Sequence, residues 1–389
     1  MDKIEKLKPL AENFVNSVEP SKNVFIVRAL LKWFSENARD LPWRKTSDPY
    51  AIWISEIMLQ QTQVKTVIPY WGRWLLELPS IRNLAMAKPE TVLKLWEGLG
   101  YYSRARNLQN AAKIILKKHG GQFPENFEDI LALPGIGRYT AGAICSIAFN
   151  QPKPILDGNV IRVLTRVFGI AGNPHETKTN ARLWELAEQL VSNSKLKTKK
   201  RSCSFLNQSL MELGALICTP RQPKCLSCPL KKNCIAFQEN RITALPNLGK
   251  RAEITRRRFV AFIVKERGKF LVRQRPAGVL NANLWEFPNL EMRENETFSQ
   301  HKSLRVPTGA APFCTITHSI TRYRITLDVF MAKRSASGQM PVGTWLQPAD
   351  LRKLAFSSAH RRILDALEKS ILERANPDIA EAHRVVVVL

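Results

Sequence analysis

The sequence predicts two domains, the first built of helices alone and the second of mixed α and β structure. The chain has 389 residues, which is too many for one compact hydrophobic core. Across residues 24–237, apolar residues recur at steps of three and four, as in ARNLQNAAKIILKKHG, and this period indicates amphipathic helices. Farther along, FVAFIVKERGKFLVRQR has the pattern of two strands joined by a tight turn at Arg267 and Gly268.

The change of period places the domain limits. We expect the helical domain to span residues 24–240 and the α+β domain to span residues 256–372, with a closing helix near residues 359–372. Residues 241–255 contain Pro246 and Gly249 but little apolar pattern, which is typical of a linker.

A large positive charge narrows the class of partner. The chain has 59 lysines and arginines against 33 acidic residues, a formal net charge of +26. Such a surplus favours nucleic acid over the weaker alternative of an anionic membrane surface. The apolar runs are far shorter than the roughly 20 residues of a membrane span, and the N-terminus lacks the apolar core of a secretory signal. We therefore expect a soluble, cytoplasmic protein.

Four of the seven cysteines lie within 17 consecutive residues, in the pattern C-x6-C-x2-C-x5-C. They are Cys218, Cys225, Cys228 and Cys234. Four thiolates suit either a [4Fe–4S] cluster or a structural zinc ion, and the spacing by itself leaves both open. Cysteines without a metal are the simpler alternative, which this density disfavours.

Residues 133–138, LPGIGR, predict a hairpin between two helices. The backbone N–H groups of Gly135 and Gly137 can face outward at the start of the second helix, where they and the helix dipole form a clamp for a phosphate group. An ordinary glycine turn is the alternative for the GxG pattern alone. A helix–hairpin–helix in so basic a chain favours contact with the DNA backbone.

Glu56 lies in a segment, DPYAIWISEIMLQQTQV, that predicts a largely apolar helix. Its neighbours at three and four residues include Ile52, Trp53 and Leu59. A carboxyl group on such a face is partly desolvated, which raises its pKa and suits a general acid near neutral pH. An exposed glutamate without a function is an equally weighted alternative at this point.

Asp157 opens the apolar-periodic segment ILDGNVIRVL. A helix N-cap is the simpler explanation of an aspartate at this position, and from the segment alone it is favoured. A capping aspartate also stays ionised beside the helix dipole, so a cap and a functional carboxylate are compatible.

Together these segments resemble the adenine DNA glycosylases, within the endonuclease III superfamily. The resemblance runs over residues 25–237 and rests on LPWR, SEIMLQQTQV, EGLGYYSRARNL, LPGIGRYTAGAI, ILDGNVIRVL and the cysteine array, all in order. It implies an all-α helix–hairpin–helix DNA glycosylase with a DNA cleft between two helical modules. It also implies that the four cysteines hold a [4Fe–4S] cluster, since their spacing is the family's.

The resemblance implies roles for individual residues. Glu56 would protonate N7 of a flipped adenine, Asp157 would stabilise the positively charged sugar, and Asn159 would support that site. The residues implied to line the adenine pocket are Arg39, Trp43, Arg44, Leu59, Val64 and Gln208. The residues implied to contact DNA are Gln61, Thr62, Tyr101, Gly135, Gly137 and Arg138, of which Gln61 and Tyr101 wedge into the duplex.

Tyr139 stands where bifunctional relatives carry a lysine, whose amine attacks the sugar as a Schiff-base nucleophile. A phenol cannot form a Schiff base. We therefore expect base removal without efficient strand cleavage. The alternative is a bifunctional endonuclease III-type glycosylase and lyase for oxidised bases.

The second domain resembles the family's Nudix-like lesion-recognition domain, through Arg275-Pro276 and LWEFP at residues 284–288. It has no glutamate-rich Nudix box, so nucleotide pyrophosphatase activity is not expected. The family's lesion-sensing loop usually reads Phe-Ser-His, whereas this chain has Ile320-Thr321-Arg322. Thr321 and Arg322 are expected to replace the serine hydroxyl and the histidine donor.

The sequence thus predicts a monomeric, monofunctional glycosylase of bacterial base-excision repair. Its expected partner is double-stranded DNA in which adenine is mispaired with 8-oxoguanine or guanine. A DNA-binding protein whose cluster only senses redox state is a second alternative, but it gives Glu56 and Asp157 no role.

Overall fold

The computed structural model describes residues 20–194, 201–249, 253–292, 304–307, 309–320, 322–334 and 342–375. The chain forms two compact units, and neither is continuous in sequence. Residues 1–82 group with 111–250, and residues 83–110 group with 251–389. Residues 83–110 lie inside the predicted helical domain. The limits 24–240, 241–255 and 256–372 stay a prediction.

Helices dominate the described chain before residue 250. They are α1 (Pro20–Asn37), α2 (Pro49–Leu59), α3 (Val64–Glu77), α4 (Ile81–Met86), α5 (Pro89–Leu95), α6 (Ser103–Lys118), α7 (Phe127–Leu131), α8 (Arg138–Ile147), α9 (Gly158–Val167), α10 (Thr177–Ser194), α11 (Ser202–Leu216) and α12 (Ile235–Gln238). Short 3₁₀ turns cover Pro42–Arg44, Cys225–Ser227 and Lys231–Asn233. None of the helices in the described ranges is long and apolar enough to cross a membrane.

The core of the first unit lies between four of these helices. Leu30 of α1, Leu164 of α9, Leu186 of α10 and Leu210 of α11 are at most 1% exposed and belong to one apolar cluster. Removing such side chains from water is the main stabilising contribution to a helical unit of this kind. The same packing brings α9 and α11 together, which matters for the site described below.

The second unit is built on a mixed sheet. Its strands are β1 (Thr255–Glu266), β2 (Lys269–Gln274), β3 (Trp285–Glu286), β4 (Asn289–Met292), β5 (Leu304–Arg305), β6 (Cys314–Ile320), β7 (Tyr323–Arg334) and β8 (Thr344–Leu346), followed by α13 (Pro348–Leu351) and α14 (Ser358–Ala375). The main path runs β3-β2-β1-β7-β5, with β4 on β1, β6 on β7 and β8 on β2. β1 and β7 pair in parallel, and the other pairs are antiparallel.

Both faces of the sheet are covered. Ala261 and Ile263 of β1 pack into one apolar cluster with Ile363 of α14, while Val260 and Phe262 pack into a second cluster. Because successive residues of a strand point to opposite faces, this alternation explains the continuous apolar run in β1. The turn from β1 to β2 is formed by Arg267 and Gly268, as predicted, with φ values of 48° and 79°.

Side chains of residues 83–110 form hydrogen bonds with backbone groups elsewhere in the second unit. The hydroxyl of Tyr102 donates to the carbonyl oxygen of Phe356 (3.0 Å), and the N–H of Phe356 donates to Oε1 of Glu97 (2.8 Å). Lys94 Nζ donates to the carbonyl oxygen of Leu354 (2.9 Å). These bonds link residues 254 to 260 positions apart, so no local sequence pattern could predict them.

Candidate active site

Glu56 lies on α2, a helix that is buried along almost its whole length. Asp48 caps this helix by accepting hydrogen bonds from the N–H groups of Tyr50 (3.1 Å) and Ala51 (3.2 Å). Every residue from 50 to 58 is buried, and Glu56 is only 5% exposed. Glu56 is therefore not the exposed side chain that the simpler alternative assumed.

The carboxyl group of Glu56 has a neutral hydroxyl as its hydrogen-bonding partner. Tyr139 of α8 donates its hydroxyl to Glu56 Oε2 at 2.8 Å. Burial raises the pKa of Glu56 to about 7, helped by the charge of Asp157, while the Tyr139 hydrogen bond and the charge of Arg44 act in the opposite direction. Burial also raises the pKa of Tyr139 well above its ordinary value, so its hydroxyl stays protonated and remains a donor.

Asp157 is the N-cap of α9, and only one of its two oxygens takes part in the cap. Oδ1 accepts from the N–H of Val160 (2.8 Å) and Oδ2 accepts from Asn159 Nδ2 (2.9 Å). Burial raises the pKa of Asp157, whereas these hydrogen bonds and the charge of Arg162 lower it. Both explanations of Asp157, a cap and a carboxylate in a functional site, are thus compatible with its geometry.

Asn159 is held in turn by α11 and Arg162. A Cβ atom at Gly214 would lie 2.6 Å from the Cβ of Asn159, so glycine is needed for α11 to approach α9 this closely. Arg162 donates from Nη2 to Asn159 Oδ1 (2.8 Å) and to the carbonyl oxygen of Gly214 (2.8 Å), and from Nε to the carbonyl oxygen of Cys218 (2.6 Å). No sequence pattern had indicated a role for Arg162.

One cavity of about 700 Å³ in the first unit brings most of the predicted site together. It is lined by all four residues of the predicted catalytic group, Glu56, Tyr139, Asp157 and Asn159. The predicted pocket residues also line it: Arg39, Trp43, Arg44, Leu59, Val64 and Gln208. Of the predicted DNA-contacting residues, Gln61, Thr62 and Gly137 line it as well. The volume is within the usual range for a small-ligand site.

Glu212 also lines this cavity, although it was not among the predicted site residues. Its side chain is 1% exposed and forms ion pairs with both Arg39 (2.7 Å) and Arg44 (2.9 Å). Burial by itself would raise the pKa of Glu212, but the hydrogen bonds from Arg39 and Arg44 outweigh it and lower the pKa to about 2. The sequence did contain a signal for this residue. Glu212 lies one helical turn after the predicted pocket residue Gln208, and residues four apart share a helix face.

The hairpin between α7 and α8 has the predicted turn chemistry. Asn126 caps α7 by accepting from the N–H of Glu128 (2.8 Å). The N–H of Ile136 donates to the carbonyl oxygen of Leu133 (3.1 Å), and Gly135 has a φ of 78°, a left-handed value that favours glycine. Gly137 has an ordinary φ of −100°, and an added Cβ would have no atom within 4 Å. The start of α8 is therefore open at this position.

The other predicted DNA-contacting residues have individual surroundings. Gln61 lies two residues after the end of α2 and has a φ of 58°, and the hydroxyl of Thr62 donates to the carbonyl oxygen of Gln60 (3.4 Å). Arg138 stacks on the ring of Trp184 at 4.0 Å from its centroid. Tyr101 belongs to the second unit, where it is 44% exposed with a φ of 45°.

Of the predicted lesion-recognition residues, Thr321 lies outside the described residues. Arg322 is exposed and donates from Nη2 to the hydroxyl of Tyr323 (3.1 Å), with its guanidinium 5.2 Å from the Tyr323 ring centroid. The buried Nδ1 of His318 has no hydrogen-bonding partner among the described residues.

The four clustered cysteines line a second, small cavity of the first unit. Arg166 of α9 lies beside it: Nη1 donates to the carbonyl oxygen of Thr219 (2.8 Å) and is 3.4 Å from Cys218 Sγ. In the described ranges, no three His, Cys, Asp or Glu side chains are arranged to hold one metal ion.

Comparison with known proteins identifies the family. Residues 54–189 match the family described as "HhH-GPD superfamily base excision DNA repair protein", and residues 259–366 match the NUDIX domain. An adenine DNA glycosylase of Rattus norvegicus is 36% identical over 88% of this chain and 78% of its own length. The chain belongs to the adenine DNA glycosylase family. Another member, from Buchnera aphidicola subsp. Schizaphis graminum, is 35% identical over 86% of this chain and 96% of its own length.

Among solved structures, a thermostable thymine-DNA glycosylase is similar to this family member. The two share 32% identity and a TM-score of 0.51, over 56% of this chain and 98% of the other. The predicted family and the predicted fold class are confirmed: a helical glycosylase region is followed by a Nudix-like domain with a mixed sheet. Family membership is also consistent with an iron–sulfur cluster.

Proposed function

We propose that this chain is a monofunctional DNA glycosylase that hydrolyses the N-glycosidic bond of adenine mispaired with 8-oxoguanine or guanine, in base-excision repair. The observation that carries the proposal is the pair of buried carboxyl groups, Glu56 and Asp157, that line one cavity of about 700 Å³. Burial gives Glu56 a pKa of about 7, so at neutral pH a large fraction carries the proton that an acid catalyst must donate. Relatives that match most of the chain are named adenine DNA glycosylases.

The chemistry assigns different work to the two carboxyl groups. A base inside a duplex must be flipped out to reach such a cavity. Protonated Glu56 then donates its proton to N7 of adenine, the bond from C1′ to N9 breaks, and its electron pair leaves with the neutral base. Asp157, ionised, stabilises the positive charge on the sugar, directly or through a covalent intermediate, until water attacks C1′. The proton released by water returns to a carboxylate.

Tyr139 supports the monofunctional assignment. Its phenol donates to Glu56 and offers no amine for a Schiff base with the sugar. We expect no covalent enzyme–DNA adduct after borohydride treatment during turnover. Rapid trapping would favour the bifunctional alternative and contradict this part of the proposal.

Duplex DNA is the proposed partner, and several features support it. Gly135 and Gly137 are exposed at the start of α8, where backbone N–H groups and the helix dipole can bind a phosphate. Gln61 and Tyr101 have strained, left-handed backbones, which suits side chains that wedge into a duplex. Thr62 and Arg138 complete the proposed contact set. The monomeric state and the bacterial cytoplasm stay predictions.

The four cysteines are the proposed ligands of a [4Fe–4S] cluster. They line one cavity, and membership of the adenine DNA glycosylase family, which is consistent with an iron–sulfur cluster, supports this group over zinc. When bound, such a group would supply a rigid cross-link for residues 218–234. We expect the purified protein to contain about four iron atoms and four sulfides per chain. One zinc ion per chain and no iron would contradict the assignment.

Recognition of the base opposite adenine is proposed for the second unit. Arg322, exposed immediately before β7, has several N–H donors available for the edge of an oxidised guanine, with Thr321 beside it in sequence. Nudix-like structure without a glutamate-rich box supports a binding role for this unit and no hydrolysis of nucleotides.

The proposed function is tested by single-turnover release of adenine from duplexes in which A faces 8-oxoguanine, G or T. We expect release opposite 8-oxoguanine and G and none opposite T. Release of an oxidised pyrimidine, or no release of adenine from either mispair, would contradict the proposal. Comparing the wild type with Arg322→Ala then shows whether this position affects the ratio of the rates opposite 8-oxoguanine and G.

A further inference from the structure

Glu212 accepts five hydrogen bonds from Arg39 and Arg44, two arginines that form a cationic wall of the same cavity. Oε1 accepts from the backbone N–H of Arg39 (2.9 Å), from Arg39 Nε (2.9 Å) and from Arg44 Nη1 (3.0 Å). Oε2 accepts from Arg39 Nη2 (2.7 Å) and Arg44 Nη2 (2.9 Å). One buried carboxylate thus holds two guanidinium groups in two-pronged contacts, the strongest hydrogen-bonding geometry that arginine makes.

Both arginines lie on a segment that depends on such an anchor. Arg39 lies in a stretch without regular structure, and Arg44 ends the short 3₁₀ turn Pro42–Arg44. Glu212 reaches them from α11, more than 160 residues later in the chain. Arg44 also donates from Nη1 to the carbonyl oxygen of Arg39 (3.0 Å), which closes the segment on itself. The position of this cavity wall therefore depends on a residue of a different helix.

The charge of Glu212 matters as well as its reach. The proposed reaction creates positive charge on the protonated base and on the sugar. Two guanidinium groups beside one carboxylate leave a net charge of about +1 in this wall. Without the carboxylate, both charges would oppose the positive charge that develops in the transition state. The groups that act electrostatically on Glu56 are Tyr139, Asp157 and Arg44, so Arg44 links this wall to the proposed acid.

We propose that Glu212 is a positioning residue of the active site. It holds Arg39 and Arg44 in place in the cavity wall and offsets their charge beside the reacting adenine. This inference rests on the proposed function and adds to it a residue that contacts no reacting atom.

The test is the pH–rate profile of Glu212→Gln in single-turnover adenine release. We expect the rate to fall about 100-fold, as for a misplaced pocket wall. The limb on which the rate falls with rising pH should move to lower pH, because Arg44 without its counter-charge favours ionised Glu56. A merely structural defect would lower the rate without moving this limb. The matched control is Glu188→Gln on α10, an exposed residue that does not line the cavity, with the same change of charge.

Glu212→Asp separates charge from reach, and it also serves if Glu212→Gln fails to fold. Aspartate keeps the charge but is too short to hold both arginines, so we expect a lower rate with the wild-type pH profile. Wild-type rate and profile in both variants, or in Glu212→Asp alone when the other does not fold, would overturn the inference. Failure of the wild-type chain to release adenine would instead refute the proposed function, and this inference with it.

Discussion

Glu56 and Glu212 line the same cavity, and both are almost completely buried, yet their pKa values move in opposite directions. The pKa of Glu56 rises to about 7, whereas that of Glu212 falls to about 2. Burial disfavours the charged form of both side chains. The difference comes from the partners, since Glu56 accepts from a neutral hydroxyl and Glu212 accepts from two guanidinium groups. Partners, and not depth alone, decide which carboxyl group can carry a proton.

The comparison also separates two kinds of work. A carboxyl group with a pKa near 7 can donate a proton at neutral pH and be protonated again after turnover. One with a pKa of about 2 stays ionised throughout and can only hold cations in place. The cavity therefore contains a candidate acid and a candidate anchor on different elements, α2 and α11.

The largest expected effect is the loss of the acid. Glu56→Gln keeps the size of the side chain but cannot donate a carboxylic proton, so we expect single-turnover adenine release to fall by about 10²- to 10⁴-fold. Binding to an A:8-oxoguanine duplex, measured by fluorescence anisotropy, should be nearly unchanged. A variant that releases adenine at the wild-type rate would show that the acid lies elsewhere.

The second effect concerns stability. Because the folded-state pKa of Glu56 is raised from its ordinary 4.5 to about 7, the folded protein favours the proton. The contribution of Glu56 to the free energy of unfolding is fully present below pH 4.5 and is lost as pH rises through about 7. The total loss is on the order of 3 kcal/mol. Because glutamine does not titrate in this range, Glu56→Gln should not lose stability in this way.

Thermal unfolding of the wild type and Glu56→Gln at pH 5 and pH 8 checks this prediction. The variant should be the more stable protein at pH 8, and the difference between the two should shrink at pH 5. An equal difference at both pH values would contradict the raised pKa.

The smallest expected effect comes from Tyr139→Phe. The hydrogen bond from Tyr139 stabilises ionised Glu56, so its removal should raise the pKa of Glu56 and move the falling limb of the pH–rate profile to higher pH. This shift is opposite in sign to the one expected for Glu212→Gln. Single-turnover rates between pH 5.5 and 9 would show both, and shifts in the same direction would break the comparison between the two glutamates.

Much of the molecule was predictable because its causes are local. The caps at Asn126 and Asp157, the glycine at the left-handed turn position 135, and the turn at Arg267 and Gly268 each depend on a few neighbouring residues. The order of motifs and the cysteine spacing identified the family for the same reason. Such features follow from backbone sterics and short-range hydrogen bonds.

The sequence by itself determined the elements, the family and the candidate carboxyl groups, but the segment around Glu56 left open whether this side chain is buried or exposed. Only the tertiary structure decided that it is buried, by enclosing α2 and placing Tyr139 against Glu56 across 83 positions of sequence. It likewise paired Glu212 with Arg39 across 173 positions and grouped residues 83–110 with the second unit. The physical reason is that pKa values and ion pairs depend on solvent exclusion and on charges that are close in space, and neither depends on distance along the chain.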